Sequence, residues 1–516
     1  MIRSFLTVSS GTLASRLLGF VRDSLVAALL GAGPVADAFL VAFQLVNVVR
    51  RLLTEGALNA ALVPAWLRTR EVEGAAAAAA FAGRLLGTIS VALMAATILL
   101  GVLMPFVVTV LAPGFAGKET LQLAVSDARL MLPYLAFAGP VTVLMGLMNA
   151  KGRFALSAFS PLLFNVALIA MTVALLLRRQ DAAFAALVLA GTVGFAGLLQ
   201  LSILLLRRDG VAARIRFSFD REMRGFFAKA IPGMIASSGP QLLMVAGAII
   251  ASSSPSAVSW IYFANRLIEL PLGLVGVAMG TVLVPELSRA VHGEDRAAIA
   301  RAESRALELA AGLALPATLG LLVLAGPIVK LLFEHGAFTA ADTEATARAL
   351  MWLSLGLPAQ VLFKSLAPAF FARGDTIAPL LATLKGFAVA LVLSVVLGHL
   401  AGTGGIAAAI ALGGWSSATS LIRQGAATFG FSIDAAARMR LPRIVAAALA
   451  MGGLLWLAAR QTPLENLHGV AQALVLLGLI AAGVAFYGLL LRLFGVISWR
   501  EAVNAVRQNR PGGLRG

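Results

Sequence analysis

Apolar residues run through this chain in long blocks, and short clusters of Gly, Pro, Ser or charged residues divide them. A helix needs roughly 20 apolar residues to cross a bilayer, and about fourteen blocks meet that criterion. Their approximate cores are 11–32, 35–62, 82–111, 128–149, 157–177, 183–206, 228–252, 257–284, 307–333, 347–371, 377–398, 405–428, 443–460 and 470–494. The separators carry turn chemistry, as in GAGP at 31–34 and SSSP at 252–255. Backbone groups in lipid must bond within their own segment, so helices are the expected spanning elements. A transmembrane barrel would show short alternating segments instead. The pattern predicts an all-α polytopic membrane protein.

One block breaks the pattern. Residues 15–64 are apolar enough for a bilayer, yet they hold Arg16, Arg22, Asp23, Asp37, Arg50, Arg51 and Glu55. A charge near the bilayer centre costs about 2.5–3.5 kcal/mol on insertion scales, so such groups face a water-filled cavity or each other. Guanidinium groups stay protonated there and grip phosphate through two parallel hydrogen bonds. The pattern therefore predicts a cavity within the membrane for a phosphorylated, anionic substrate. Later in the chain, WIYFANRLIELP places Arg266 and Glu269 three apart, close enough to pair on one helix. Arg16, Arg22, Arg50 and Arg266 are the candidate substrate-binding residues. Arg16 and Arg22 are six apart and do not share a helical face, and Gly19 between them allows a bend or unwinding. Arg51 reads as a side chain snorkelling to the cytoplasmic surface. Lys364 and Lys385 are divided between the cavity and structural pairing. The basic stretch from Arg207 to Arg224 reads as topogenic and attracted to anionic lipid.

Composition supports the class. Of 516 residues, 60% are hydrophobic and only 13% charged, with a mean hydropathy of +0.92; soluble domains have about 25% charged residues. The net charge of +17 would suggest nucleic acid in a soluble protein, but the positive-inside rule accounts for it here. With the N-terminus in the cytoplasm, about 27 of the 41 Lys and Arg fall in cytoplasmic segments, about 7 on the other side and about 7 within spans. Both termini are then cytoplasmic. Arg16 and Arg22 interrupt the first apolar run, so it is not a cleavable signal peptide. There is no cysteine, and the four histidines are widely scattered. No metal or cofactor is expected, and no HExxH, Walker or GxSxG pattern marks an enzyme.

The two halves resemble each other at an offset near 220 residues. LNAALVPAW (58–66) matches MGTVLVPEL (279–287), Phe43 matches Phe263, NAKGRF (149–154) matches FARGDT (371–376), and Pro161 matches Pro379. Six spans fit in that distance, an even number, so the copies keep one orientation. The expectation is two parallel six-helix lobes about an axis along the membrane normal, with a site between them. The implied units are an N-terminal lobe with its connecting loop (1–215), a C-terminal lobe (216–435), and two further helices with a cytoplasmic tail (436–516).

These residues also resemble a known family. SSGTLASRLLGFVRD, ADAFLVAF, NVVRRLLTEGALNAALVP, SWIYFANRLIELPLGLVGVAMGTVLVPELSR, LFEHGAFT and LAPAFFARGDTIAP are similar to the bacterial MurJ (MviN) lipid II flippases. Those proteins belong to the multidrug/oligosaccharidyl-lipid/polysaccharide exporter superfamily. The resemblance runs to about residue 430. It implies fourteen helices, a central cationic cavity and alternating access in the bacterial inner membrane. The implied substrate is lipid II, undecaprenyl-pyrophosphate carrying the disaccharide-pentapeptide of peptidoglycan. The family's cavity arginines fall on Arg16, Arg22, Arg50 and Arg266. Asp23, Asp37 and Glu55 match acidic family positions and, with Asn47 and Glu269, are the supporting cavity charges. The last two helices would form a groove for the lipid tail. Some members carry an acidic residue of a sodium site in the seventh helix, where this chain has Gly247. That departure leaves membrane potential as the alternative driving force. The implied partners are lipid II, membrane lipids and the cell-wall synthesis machinery, with the flippase acting as a monomer. The alternatives are a flippase for another undecaprenyl-linked saccharide, a drug/cation antiporter of the same superfamily, or a cell-wall scaffold without transport.

Overall fold

The computed structural model describes residues 2–54, 57–206, 214–278, 296–430, 434–462, 467 and 469–496. Among them it is helical throughout, with no strand. The first half comprises α1 (Ile2–Leu30), α2 (Pro34–Thr54), α3 (Ala57–Val72), α4 (Ala75–Leu111), α5 (Glu119–Met131), α6 (Pro133–Ala150), α7 (Phe154–Arg178) and α8 (Ala182–Leu206). The second half begins with α9 (Arg221–Ser237), α10 (Gly239–Ala251), α11 (Ala257–Ala278), α12 (Arg296–Val323) and α13 (Ala325–Phe333). It continues with α14 (Ala340–Ser354), α15 (Leu357–Ala372), α16 (Ile377–Phe429), α17 (Ala435–Gln461) and α18 (Gly469–Leu493).

Eight stretches of described helix, with α5 and α6 counted together, are long and apolar enough to cross a membrane, or up to ten when α9–α10 and α14–α15 each count as one bent span. The expected fourteen exceed that number for physical reasons. The arginines and acids of α1, α2 and α11 lower the apolarity of those helices. The expected pair 377–398 and 405–428 is the two arms of α16, a 53-residue stretch counted once although non-helical Ala401 and Gly402 break it. Straight, it would be about 80 Å long, far more than a bilayer's roughly 30 Å. It folds back instead at Ala401 and Gly402, where Gly402 has φ 56° and ψ −138°, a conformation open to glycine. Gly386 and Gly413 then let the two arms close on each other. Of the expected span 35–62, α2 covers the part to Thr54 and α3 the part from Ala57, with Glu55 and Gly56 outside the described residues.

The sequence repeat has a structural counterpart in two turns. After α6, the Arg153 N–H donates to Met148 O (2.9 Å); after α15, the Asp375 N–H donates to Phe370 O (3.0 Å). Gly152 and Gly374 each sit at φ 75° in the helix-ending left-handed position. The matching segment 279–287 lies outside the described residues.

Packing brings α1, α2 and α11 together at the centre. α1 lies against α7 and α8, α2 against α5 and α6, and α11 against α14, while α1 and α2 both touch α11. A phenylalanine cluster ties α1 to the second half: Phe20, Phe263 and Phe338 each meet Phe333 or its neighbours with ring centroids 5.2–6.0 Å apart. The start of α14 is fixed by a capping box between Thr339 and Asp342, and Asp342 also accepts from Trp260 Nε1 on α11 (2.9 Å).

Candidate functional site: a cationic cavity between α1, α2 and α11

A cavity of about 460 Å³ opens where these three helices meet. Arg16, Arg22, Arg50, Arg51 and Arg266 all line it, with Asn47 and Glu269. Arg22 is buried. Its Nε and Nη2 donate to Asp23 Oδ1 (2.9 and 2.6 Å) and its Nη1 to Asn165 Oδ1 on α7 (3.1 Å). Its guanidinium lies over the rings of Phe43 and Phe164, 4.9 and 5.6 Å from their centroids, so cation–π attraction adds to the ion pair. The other oxygen of Asp23 lies 2.5 Å from Arg266 Nε. Arg266 Nη1 donates to Glu269 Oε2 (2.7 Å), the i,i+3 pair expected from the sequence. Glu269 in turn accepts from Arg51 Nη2 at both oxygens (2.7 and 2.8 Å). The result is a continuous chain of alternating charge, Arg22–Asp23–Arg266–Glu269–Arg51, that joins α1, α11 and α2.

Two glycines give the guanidinium groups their space. A Cβ at Gly19 would lie 2.5 Å from Arg266 Nη2, and one at Gly273 would overlap the Arg16 guanidinium. Arg16 thus crosses from α1 over Gly273 of α11, and Arg266 crosses from α11 over Gly19 of α1. Arg16 Nη1 also donates to the Glu269 backbone oxygen (3.4 Å). Gly19 therefore serves close approach, and α1 continues through it as one helix. Arg16 and Arg22 are about 120° apart around α1, and both reach the cavity because α1 sits between α7 and α11. Arg50 donates from Nε and Nη2 to Asn47 Oδ1 (both 3.2 Å), one turn earlier on α2.

Two sequence readings need correction. Arg51 is a cavity residue, because Glu269 on the facing helix holds it inward. With the Gln241 amide oriented to satisfy its neighbours, Gln241 accepts from Arg51 Nη1 (2.6 Å) and donates to Ser238 O (3.2 Å). Asp37 is not a cavity charge. It is buried at the start of α11, where it accepts from the Ser256 and Ser259 N–H groups (2.8 and 2.9 Å) and the Ser259 hydroxyl (2.5 Å). Helix starts leave N–H groups unbonded, and a carboxylate satisfies them. Lys364 lines the cavity, whereas Lys385 is exposed on the outside of α16. Glu55 lies outside the described residues.

Asn165 and Gln241 were not anticipated. Each is a single amide in an apolar run, FNVAL and PQLLMV, and an amide in a membrane span is itself a signal of a polar cavity.

The end of the bundle holding Asp37 is shut by backbone. The Ala337 N–H donates to Ala28 O (2.8 Å). A Cβ at Gly31 would lie 2.6 Å from Ala337 O, and one at Gly336 would overlap Ala28 O. Both glycines have positive φ, 66° and 60°. The Gly114 N–H donates to the Ser252 hydroxyl (3.0 Å), again with no room for a side chain. This is the end that the charge pattern of the sequence leads us to expect on the outer side.

At Gly247, the position of the family's sodium site, a side chain would run into Ile410 and Ile406. α10 carries no acidic residue, and among the described residues no three His, Asp or Glu side chains form a metal-holding group. A longer side chain at this position has no room beside Ile410.

Two solved structures share this fold. The chain aligns with a structure described as a lipid II flippase MurJ in an inward closed conformation, with TM-score 0.76, 21% identity, and 96% of this chain and 99% of that one covered. It aligns with an inward-facing multidrug resistance MATE family transporter of the MOP superfamily at TM-score 0.65 and 16% identity, covering 85% and 98%. Sequence then narrows the class. The family model for lipid II flippase MurJ matches residues 26–474. A probable lipid II flippase MurJ of Rhizobium meliloti (strain 1021) is 37% identical over 495 residues, covering 94% of this chain and 92% of the relative. The lipid II flippase MurJ of Burkholderia cenocepacia is 32% identical over 502 residues, covering 94% and 96%. The chain belongs to the MurJ lipid II flippase family.

Proposed function

We propose that this protein carries lipid II from the cytoplasmic to the periplasmic leaflet of the bacterial inner membrane, with both termini in the cytoplasm and one chain as the working unit. The observation that carries the reading is the five-arginine lining of the cavity between α1, α2 and α11. A diphosphate offers oxygens on both sides of its bridge, and guanidinium groups from facing helices match them with paired, charge-assisted bonds. The cavity of about 460 Å³ lies within the ordinary range for small ligands, about 300–1,000 Å³. It accommodates a diphosphate and part of a sugar, so the two halves separate to admit the whole headgroup while the lipid tail stays in the bilayer.

The acids set the strength of binding. Asp23 and Glu269 hold Arg22, Arg266 and Arg51 when no substrate is present, and the diphosphate takes the guanidinium groups over. On release the acids reclaim them, so the anion is not trapped. An inside-negative potential then draws the empty cationic cavity back toward the cytoplasm, at about 2.3 kcal/mol per charge per 100 mV. The cationic lining disfavours the drug/cation antiporter reading that the fold alone allows.

The test is complementation. Cells depleted of their own lipid II flippase should grow when supplied with this protein and fail with the Arg266→Ala variant at equal abundance in the membrane. Failure of the unaltered protein, with rescue of a strain lacking a flippase for a different undecaprenyl-linked saccharide, would overturn the substrate assignment.

A further inference from the structure

The linker between the two halves lies across the start of α4. The Arg216 N–H donates to Gly83 O (3.3 Å), and Thr88 Oγ1 donates to Ser218 O (2.7 Å) and accepts from the Ser218 N–H (3.2 Å). Gly87 leaves room for this crossing, since a Cβ there would overlap Arg216 O. Arg84 pairs with Glu222 (2.5 Å) and lies 3.8 Å from Asp220. Asp220 caps α9 by accepting from the Met223 N–H (2.8 Å) and also accepts from the Ser218 hydroxyl (2.8 Å). Those bonds, the Met223 one foremost, hold its carboxyl below the usual carboxylate range. Both acids of the segment are therefore engaged within the protein.

What remains facing outward is cationic and apolar. Arg214, Arg216, Arg221 and Arg224 are exposed. Between them Ile215, Phe217 and Phe219 are 55%, 61% and 64% exposed. Three large apolar side chains at alternate positions, all open, flanked by arginine, do not suit water. The crossing point fixes their depth. Gly83–Thr88 immediately precedes Val91, Met94 and Ile98, the first large apolar side chains that α4 exposes along its spanning stretch. The segment thus sits level with the membrane surface, on the side that charge bias assigns to the cytoplasm.

We propose that residues 214–224 form a membrane-surface anchor that recognises anionic phospholipid. Ile215, Phe217 and Phe219 seat in the boundary between headgroups and acyl chains, and Arg214, Arg216, Arg221 and Arg224 take the anionic headgroups. The connection between the halves is then held from two sides, by α4 and by lipid, and membrane charge bears on how the second half moves.

The absence of cysteine from the chain makes the test direct. Single variants Phe217→Cys, Ser218→Cys and Phe219→Cys of the full-length protein are labelled with a nitroxide. They are placed in phosphatidylcholine vesicles with or without phosphatidylglycerol. Collisions with oxygen and with a water-soluble nickel chelate then report depth. Labels at 217 and 219 should meet oxygen several-fold more than nickel, and the label at 218 the reverse. Phosphatidylglycerol should deepen 217 and 219, and combined Arg214→Gln, Arg216→Gln and Arg221→Gln changes should abolish that response while depth in phosphatidylcholine persists. Equal nickel access at 217, 218 and 219 would overturn the anchor. Depth indifferent to phosphatidylglycerol would overturn the recognition of anionic lipid.

Discussion

The cavity and the outer end of the bundle both use glycine to bring the two halves together, but what each glycine faces differs. Gly19 and Gly273 face guanidinium groups, the far ends of long side chains. Gly31 and Gly336 face backbone carbonyls at Ala337 and Ala28. A guanidinium can withdraw and find another partner; a backbone carbonyl cannot. The polar bonding follows the same division. In the cavity, charges are paired to charges that a bound anion can replace. At the outer end, Asp37 holds fixed N–H groups at the start of α11. One region is built for exchange of partners and the other for closure that opens only when the halves move as bodies.

The largest expected effect comes from breaking the charge chain in its middle. Arg266→Ala leaves Asp23 without its second partner and takes one guanidinium from Glu269, which Arg51 and Asn265 still hold. The missing guanidinium takes with it charge-assisted hydrogen bonds to the diphosphate, worth about 1.5–3 kcal/mol each. Flipping measured on membrane vesicles should fall by at least about a hundredfold, with the amount of protein in the membrane unchanged. Next comes the outer closure. Gly31→Val must overlap the Ala337 carbonyl and also adopt φ 66°. Overpacking of this kind costs about 1–3 kcal/mol. A cysteine placed at Asn47 should then become open to an impermeant thiol reagent from outside, and flipping should drop by roughly tenfold.

Gly273→Ala separates the two uses of glycine. The three atoms nearest the added methyl group all belong to the flexible end of Arg16, so thermal stability in detergent should stay within about 0.5 kcal/mol of the original. Loss of Arg16 from its place should still lower flipping several-fold. If Gly273→Ala destabilised the protein as much as Gly31→Val, the distinction between the two regions would fail. The smallest effect is expected from Asp37→Asn, which keeps an acceptor for the N–H groups of α11 but loses the charge. Its outer-side access to the Asn47→Cys thiol should rise by less than in Gly31→Val.

Much of the fold was legible because membrane helices announce themselves through apolar length. The split of α16 at Ala401–Gly402 coincides with the gap between two expected spans, and the matched turns at Gly152 and Gly374 were visible as the NAKGRF and FARGDT pair. Arg22 and the Arg266–Glu269 pair stood out because a charge in an apolar helix has few places to go. Other parts were not readable. Arg51 is adjacent to Arg50, and nothing local distinguishes a side chain facing the cytoplasm from one turned inward by Glu269, 218 positions away. Asp37 was grouped with the cavity charges because its sequence neighbours belong there, while its partners Ser256 and Ser259 come from the other half. The Asp23–Arg266 pair is likewise a long-range contact without a local trace. Spacing along one helix reveals i,i+3 partners; pairing between helices depends on how the halves dock.

The central claim is that the guanidinium chain handles the diphosphate during crossing. The most direct measurement is the access of a membrane-impermeant probe to lipid II headgroups on the outer face of cells depleted of their own flippase. The account predicts that lipid II accumulates but stays protected after depletion. It also predicts that this protein restores access and that its Arg22→Ala variant, present in equal amount, does not. Full access restored by Arg22→Ala would contradict it.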